Sequence, residues 1–167
     1  MPVTHTLYHS FPVGILQISG SDEHVEEIKF CGEQPAPEQE GPVSSLPSCL
    51  HRCVDELHEY FQGERQQFSI PFSQSGTPFQ QRVWNELLNI PYGSTISYLE
   101  LSKRLGDHKA IRAAASTNGK NKLAVIVPCH RVIGTNRDLV GYAGGLPLKK
   151  WLLQHEARIA CGVQTLF

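Results

Sequence analysis

A chain of 167 residues, 40% of them hydrophobic, is long enough for one good core or two small modules, and no apolar run approaches the length that crosses a membrane. Five cysteines at 31, 49, 53, 129 and 161, an odd number without framework spacing, argue against a disulfide scaffold; with no leader-like segment at the N-terminus, a cytoplasmic protein is expected. The net charge of −1 hides a segregation: residues 1–75 carry three Lys and Arg against eleven Asp and Glu, and residues 76–167 carry twelve against five.

The first thirty residues alternate as short strands do, in Thr6–Tyr8, Gly14–Ile18 and Val25–Phe30, with turn residues between them, so an antiparallel meander is predicted. Residues 32–47 hold four Pro, three Glu and two Gly and read as a loop. A helix follows, with Leu50, Val54, Leu57 and Phe61 on one face and Gly63 as its stop. Gln74-Ser75-Gly76 is the best boundary, separating an acidic supporting domain, 1–75, from a basic working domain, 76–167.

The second half reads as helical. Phe79, Val83, Trp84, Leu87 and Leu88 form an apolar stripe ended by Pro91-Tyr92-Gly93. Ser97 and Glu100 have capping-box form and open a helix with Tyr98, Leu101 and Leu105 inward. Gly106 breaks that helix, and Asp107 is placed to cap the next, where Ile111, Ala114, Ala115 and Asn118 share a face. Two short helices across a tight turn have the outline of a helix-turn-helix, a weak signal that any α-hairpin satisfies. Around the second helix, Lys109, Arg112 and Lys120 surround a run of Ala and Ser, which lets backbone and phosphate approach closely.

Cys129 sits in Val127-Pro128-Cys129-His130-Arg131-Val132. Two cationic neighbours favour the thiolate, and Pro128 biases the segment toward rigid, extended backbone. The competing reading is a buried structural Cys. In the last helix, Leu148, Trp151, Leu152, His155 and Ile159 form a stripe in which Glu156 also falls. A carboxylate on a buried face wants a donor: a catalytic His, an Arg such as Arg131, or water at a frayed end.

Three stretches in order, Gly76-Thr77-Pro78-Phe79-Gln80, the Pro-Cys-His-Arg-Val run, and Gly141-Tyr142-Ala143-Gly144-Gly145 followed by Trp151 to Glu156, closely resemble the O6-alkylguanine-DNA alkyltransferases, also called methylated-DNA–protein-cysteine methyltransferases. The similarity is clear over residues 76–158 and vague before them. It implies an α+β protein, with an N-terminal ribonuclease-H-like antiparallel sheet plus helix and a C-terminal helical module containing the helix-turn-helix. It implies direct-reversal DNA repair: irreversible transfer of the alkyl group of O6-methylguanine, and of O4-methylthymine, from a flipped-out nucleotide to Cys129, once per molecule. By the same resemblance His130 is the base, through a bridging water, and Glu156 orients it. Tyr98 donates toward the purine N3, and Asn121 hydrogen-bonds near the thiol. Arg112 fills the gap in the duplex, with Lys109, Ala113 and Ser116 alongside on DNA, and Val140, Tyr142 and Ala143 wall the base pocket. No cofactor or metal is implied, and the partner is double-stranded DNA carrying alkylated guanine or thymine, bound by a monomer. The chain departs from the pattern at Lys122, where many relatives have Pro, which would loosen the hinge, and at Ala143, where some have Ser, which removes a hydrogen bond to the base.

Rival classes are weaker. A non-catalytic binder of alkylated DNA would lack the reactive Cys. A repair-coupled regulator would carry an additional metal-thiolate domain, for which there is no room. A thiol hydrolase would need an oxyanion hole and would leave the basic helix unexplained. Cys49, His51, Cys53 and His58 could suggest zinc, but an apolar helix face accounts for both cysteines. His5, His9, His24 and His108 read as solvated or satisfied residues.

Overall fold

A computed structural model of the chain describes residues 3–32, 35–39 and 41–162. It divides into two compact units, one up to Gln74 and one from Ser75. No helix among the described residues is long and apolar enough to cross a membrane.

In the first unit, strands β1 (His5–Phe11), β2 (Gly14–Gly20) and β3 (Val25–Phe30) form an antiparallel sheet in sequence order. Leu7 pairs with Ile18, and Ile18 with Ile28, so the period-2 pattern puts one apolar row on one face. Helix α1 (Ser48–Phe61) covers that face with the predicted Leu50, Val54, Leu57 and Phe61, joined by Cys49, Cys53 and Tyr60. The two cysteines are therefore core residues; Cys49 Sγ donates to the Ser21 carbonyl at 3.6 Å. Glu56, also buried on α1, accepts from the Ser69 amide and hydroxyl, both at 2.7 Å, and so pins the segment leaving the helix. Within the proline-rich segment, Val43–Ser45 makes one 3-10 turn, while Glu33, Gln34 and Glu40 lie outside the described residues.

The second unit contains α2 (Pro78–Leu87), β4 (Ile96–Ser97), α3 (Tyr98–Arg104), α4 (Ile111–Gly119), β5 (Val132–Ile133) and α5 (Leu146–Cys161). The Gly-Thr-Pro-Phe-Gln stretch is the start of α2. Thr77 and Gln80 form a reciprocal capping box with Pro78 at the first helical position, and a Cβ on Gly76 would stand 2.6 Å from the Trp84 ring. Leu88 does not complete the α2 stripe. It is 44% exposed, and the helix ends before it, turning Ile90 inward instead. Ser97 caps α3 through the Glu100 amide, but the Glu100 carboxylate turns to Arg104 at 3.3 Å rather than back to the cap.

Between α3 and α4, Asp107 caps a separate 3-10 turn, His108–Ala110, by accepting from the Lys109 amide at 2.9 Å. Helix α4 starts only after it, which leaves Ile111 exposed and Ala114, Thr117 and Asn118 as the buried row. Sequence periodicity gives no sign of β4 and β5. They pair in parallel, Ile96 with Val132 and Ser97 with Ile133, and so fasten the start of α3 to the residues just after Cys129.

Candidate active site

Cys129 is not on extended chain. It opens a 3-10 turn, Cys129–Arg131, after a loop whose residues 123–128 are all buried. Within that loop Val125 stands at φ 70, a region that β-branched residues rarely adopt. Asn121 holds the loop: its Nδ2 donates to the Val127 carbonyl at 2.8 Å and its Oδ1 accepts from the Leu123 amide at 3.1 Å. These bonds are made with Lys122 exposed between them, so the loop has its tie where many relatives would have Pro.

The 3-10 turn sends the side chains of both residues after Cys129 to one carboxylate. His130 Nε2 lies 2.7 Å from Glu156 Oε1. Arg131 grips the same group with two nitrogens, Nη2 to Oε1 and Nε to Oε2, each at 2.9 Å, and uses Nη1 on the Ile90 carbonyl. Both candidate partners of Glu156 are thus engaged at once. Burial pushes the Glu156 carboxyl up, but the hydrogen bonds from His130 and Arg131, with the Arg131 charge, prevail and hold it well below the usual carboxylate range.

An ionised carboxylate only accepts, so His130 Nε2 carries the proton and Nδ1 is the free lone pair. That Nδ1 is buried and has no hydrogen-bond partner among the described residues. Burial lowers the His130 pKa, and the opposing pull of Glu156 does not restore it, so the ring is neutral at pH 7.

The expectation of an acidic thiol is overturned. Cys129 is 7% exposed, and burial raises its pKa; the Asn121 side chain and the Lys149 charge pull it down without cancelling the rise. Neither neighbour acts on the sulfur: His130 is neutral and Arg131 is spent on Glu156.

Lys149 is the residue sequence reasoning missed. Its ammonium, fully buried, donates to the carbonyls of Val132 at 2.7 Å and Val140 at 3.0 Å. Burial brings its pKa down to about 8. A signal existed: Lys149, Leu152, Leu153 and Glu156 fall at i, i+3, i+4 and i+7. That is the true inner face of α5, next to the predicted one, whose Ile159 is exposed. The helix is entered through Gly145, at φ 93, a conformation that suits glycine.

Of the remaining expected residues, Tyr98 is half-buried at the start of α3, with its hydroxyl donating to the Val140 carbonyl at 3.2 Å. Val140 and Ala143 are exposed, whereas Tyr142 is half-buried; burial raises its phenol well above the ordinary value, and Cys129 and Glu156 add to the rise. Arg112, Ala113 and Ser116 lie on the exposed side of α4, with Lys109 exposed in the turn before it. The Cys129 turn and this outer face are therefore separated by the thickness of one helix, since Asn118, on the inner side of α4, donates to the Cys129 carbonyl at 3.2 Å.

Both units match known proteins. The family model for the 6-O-methylguanine DNA methyltransferase DNA binding domain matches residues 78–158, and that for the ribonuclease-like domain matches residues 3–74. A methylated-DNA–protein-cysteine methyltransferase of Mycolicibacterium paratuberculosis is 39% identical over 156 residues, 93% of this chain and 94% of the relative. The constitutive one of Bacillus subtilis is 52% identical over 108 residues, 64% of this chain and 66% of the relative. The crystal structure of Mycobacterium tuberculosis OGT in complex with DNA has a TM-score of 0.80 at 39% identity, covering 93% of each chain. With both units matched in order and a relative aligned along nearly its whole length, the chain belongs to the 6-O-methylguanine DNA methyltransferase family.

Proposed function

We propose that this protein repairs DNA by direct reversal, taking the alkyl group from O6 of guanine, or O4 of thymine, onto Cys129 and keeping it. The observation that carries this reading is a buried thiol adjoining a neutral histidine whose orientation is fixed by an ionised glutamate. In this reading 76–167 is the domain that binds DNA and accepts the alkyl group, and 1–75 supports it.

The target oxygen is inside the duplex, so the nucleotide leaves the stack first, at a cost of a few kcal/mol that is least for a damaged base. Arg112, exposed on α4, fills the space, while Ala113 and Ser116 allow close approach and Lys109 meets phosphate. Val140, Tyr142 and Ala143 receive the base. His130 takes the thiol proton at Nδ1 through a bridging water, and Asn121 and Lys149 stabilise the sulfur anion. The sulfur then attacks the alkyl carbon: the S–C bond forms, the C–O6 bond breaks, and the electron pair passes into the purine. Tyr98 supplies the proton that the purine takes at N3. The thioether product has no leaving group that His130 could displace with water, so each molecule acts once.

All of the proposed groups lie on one chain, which supports action as a monomer, and five free cysteines fit the reducing cytoplasm. Intact-mass analysis after mixing with a duplex containing O6-methylguanine should show one added methyl group on the Cys129 peptide, and none for Cys129→Ala. Removal of more methyl groups than there are protein molecules would refute single turnover. Binding of the damaged duplex by the wild type with no mass gain would establish a non-catalytic lesion binder instead.

A further inference from the structure

Arg137, Asp138, Leu139, Leu146, Pro147 and Lys150 line a shallow cavity of about 470 Å³ in the second unit. It lies between the turn from Gly134 to Asp138 and the start of α5. The turn is tightly closed: the Gly134 amide donates to the Asp138 carbonyl at 2.7 Å, and the Arg137 amide to the Gly134 carbonyl at 3.0 Å. Arg137 stands there at φ 63, a left-handed conformation that is strained for arginine and free for glycine. Strain kept at an exposed turn points to a use for the side chain that the turn presents. Two of the lining side chains are cations and one is a carboxylate, all three exposed, while Leu139, Leu146 and Pro147 supply an apolar floor.

This cavity is continuous with the pocket proposed for the base. Val140, exposed, follows Leu139 directly, and its Cγ2 would lie 3.2 Å from a Cβ on Gly134. The Lys149 ammonium holds the Val140 carbonyl to α5 at 3.0 Å, one residue before Lys150. A single loop thus forms a wall of both. A sugar-phosphate has an apolar ring and an anionic edge, and a floor of Leu and Pro flanked by Arg and Lys matches the two together. The guanidinium adds geometric fit, since it can meet two phosphate oxygens with parallel N–H bonds.

We infer that this cavity is a second DNA subsite, in which Arg137 and Lys150 hold a phosphodiester flanking the flipped nucleotide and Leu139, Leu146 and Pro147 support its sugar. The inference rests on the proposed alkyl transfer. A nucleotide that enters the base pocket carries its two phosphodiester linkages with it, and one of them comes over Val140 to the cavity. It does so only once the nucleotide has left the stack. The contacts therefore favour the extruded state over the stacked one and offset part of the cost of extrusion. That separates Arg137 and Lys150 from Lys109, which meets the duplex whether or not a base has moved.

The test is single-turnover methyl transfer by the wild type and by the double variant Arg137→Asn, Lys150→Gln. Asn tolerates the left-handed turn, so the cation is lost without new strain. The substrates are a duplex with O6-methylguanine, the same duplex with a neutral methylphosphonate on the 5′ or the 3′ side of the lesion, and free O6-methylguanine base. The double variant should slow transfer from the first duplex by roughly 5- to 30-fold, the size expected for two solvent-exposed ionic contacts. Its affinity for an undamaged duplex should stay within about twofold, because a stacked strand does not reach the cavity. With the methylphosphonate on the side that the cavity holds, the wild type should slow as much. The double variant should then lose less than about twofold more, because contacts to one partner are not additive. Both proteins should react equally with the free base. A loss that persists when each flanking linkage in turn is neutral would assign the two cations to the general field of the duplex. An equal loss on the free base would mean a distorted base pocket. Either result, or no loss at all, overturns the inference. A wild type that gains no methyl group on Cys129 from any substrate would sink the proposed function itself, and this inference with it.

Discussion

At Glu156 a guanidinium and an imidazole share one carboxylate, and the sharing sets the chemistry of the residues around it. Arg131 keeps the group ionised, which frees His130 to be neutral and correctly protonated. Since the His130 pKa is lowered, the ring loses its accepting lone pair only below the ordinary imidazole value of about 6.5. The methyl-transfer rate should therefore fall on an acid limb below that pH and not above it, measured by single-turnover kinetics from pH 5 to 8. Glu156→Gln removes the charge that raises the His130 pKa, so the limb should move further to acid; a limb displaced upward would contradict the assignment. The same substitution leaves Arg131 buried without its counter-ion, and thermal or denaturant unfolding should register a loss of about 3–5 kcal/mol. At neutral pH the rate should drop on the order of 100-fold as the base loses its orientation.

Where an element repeats its period several times, the sequence reports it well. The alternation of β1 to β3 and the α1 stripe appear as read, because each apolar residue meets a neighbour of its own row. Where the burial is polar, the reading fails. Lys149 and Glu156 occupy the inner face of α5 and carry the wrong sign on any apolar scale, so the predicted face lies one residue round. Strands β4 and β5 have two residues each, too few to show a period, yet they bring Tyr98 and Cys129 into one site. The Cys129 motif was legible as chemistry and not as geometry. Its local charges predict an acidic thiol, while the partner that consumes them lies 26 residues away along the chain.

Another pairing invisible to periodicity joins β1 to α1: His9 Nε2 and His58 Nε2 are 2.8 Å apart, with the Phe11 ring against both. Burial and the nearby His58 lower the His9 pKa, and Asp55 opposes them without winning. The unfolded chain therefore binds a proton that the folded unit resists. Stability from this pair is complete above about pH 6.5 and is lost as pH falls through the folded value. Melting temperature followed from pH 7.5 to 5 should decline less steeply for His9→Gln than for the wild type; parallel curves would show that His9 does not contribute to the decline.

For the whole molecule, the net charge of −1 is the wrong quantity for judging affinity for DNA. Screening at physiological salt confines a charge to about 8 Å, so a phosphate responds to the cations that touch it and not to the chain's overall charge. The useful quantity is the number of ions released, which the dependence of log K on log salt reports directly. Lys109, in the turn before α4, and Arg112, on the outer side of α4, are exposed, and Glu23 and Glu26 are exposed on the three-stranded unit. Lys109→Ala should reduce the salt slope for an undamaged duplex by about one unit, as the loss of one phosphate contact does. The double change Glu23→Gln and Glu26→Gln removes two charges and should leave that slope as it was. Anisotropy titrations between 50 and 200 mM salt, about the range over which such contacts weaken strongly, distinguish the two. A slope that follows overall charge, shifting for the glutamates as much as for Lys109, would mean that this chain meets DNA through its general field and not through the face of α4.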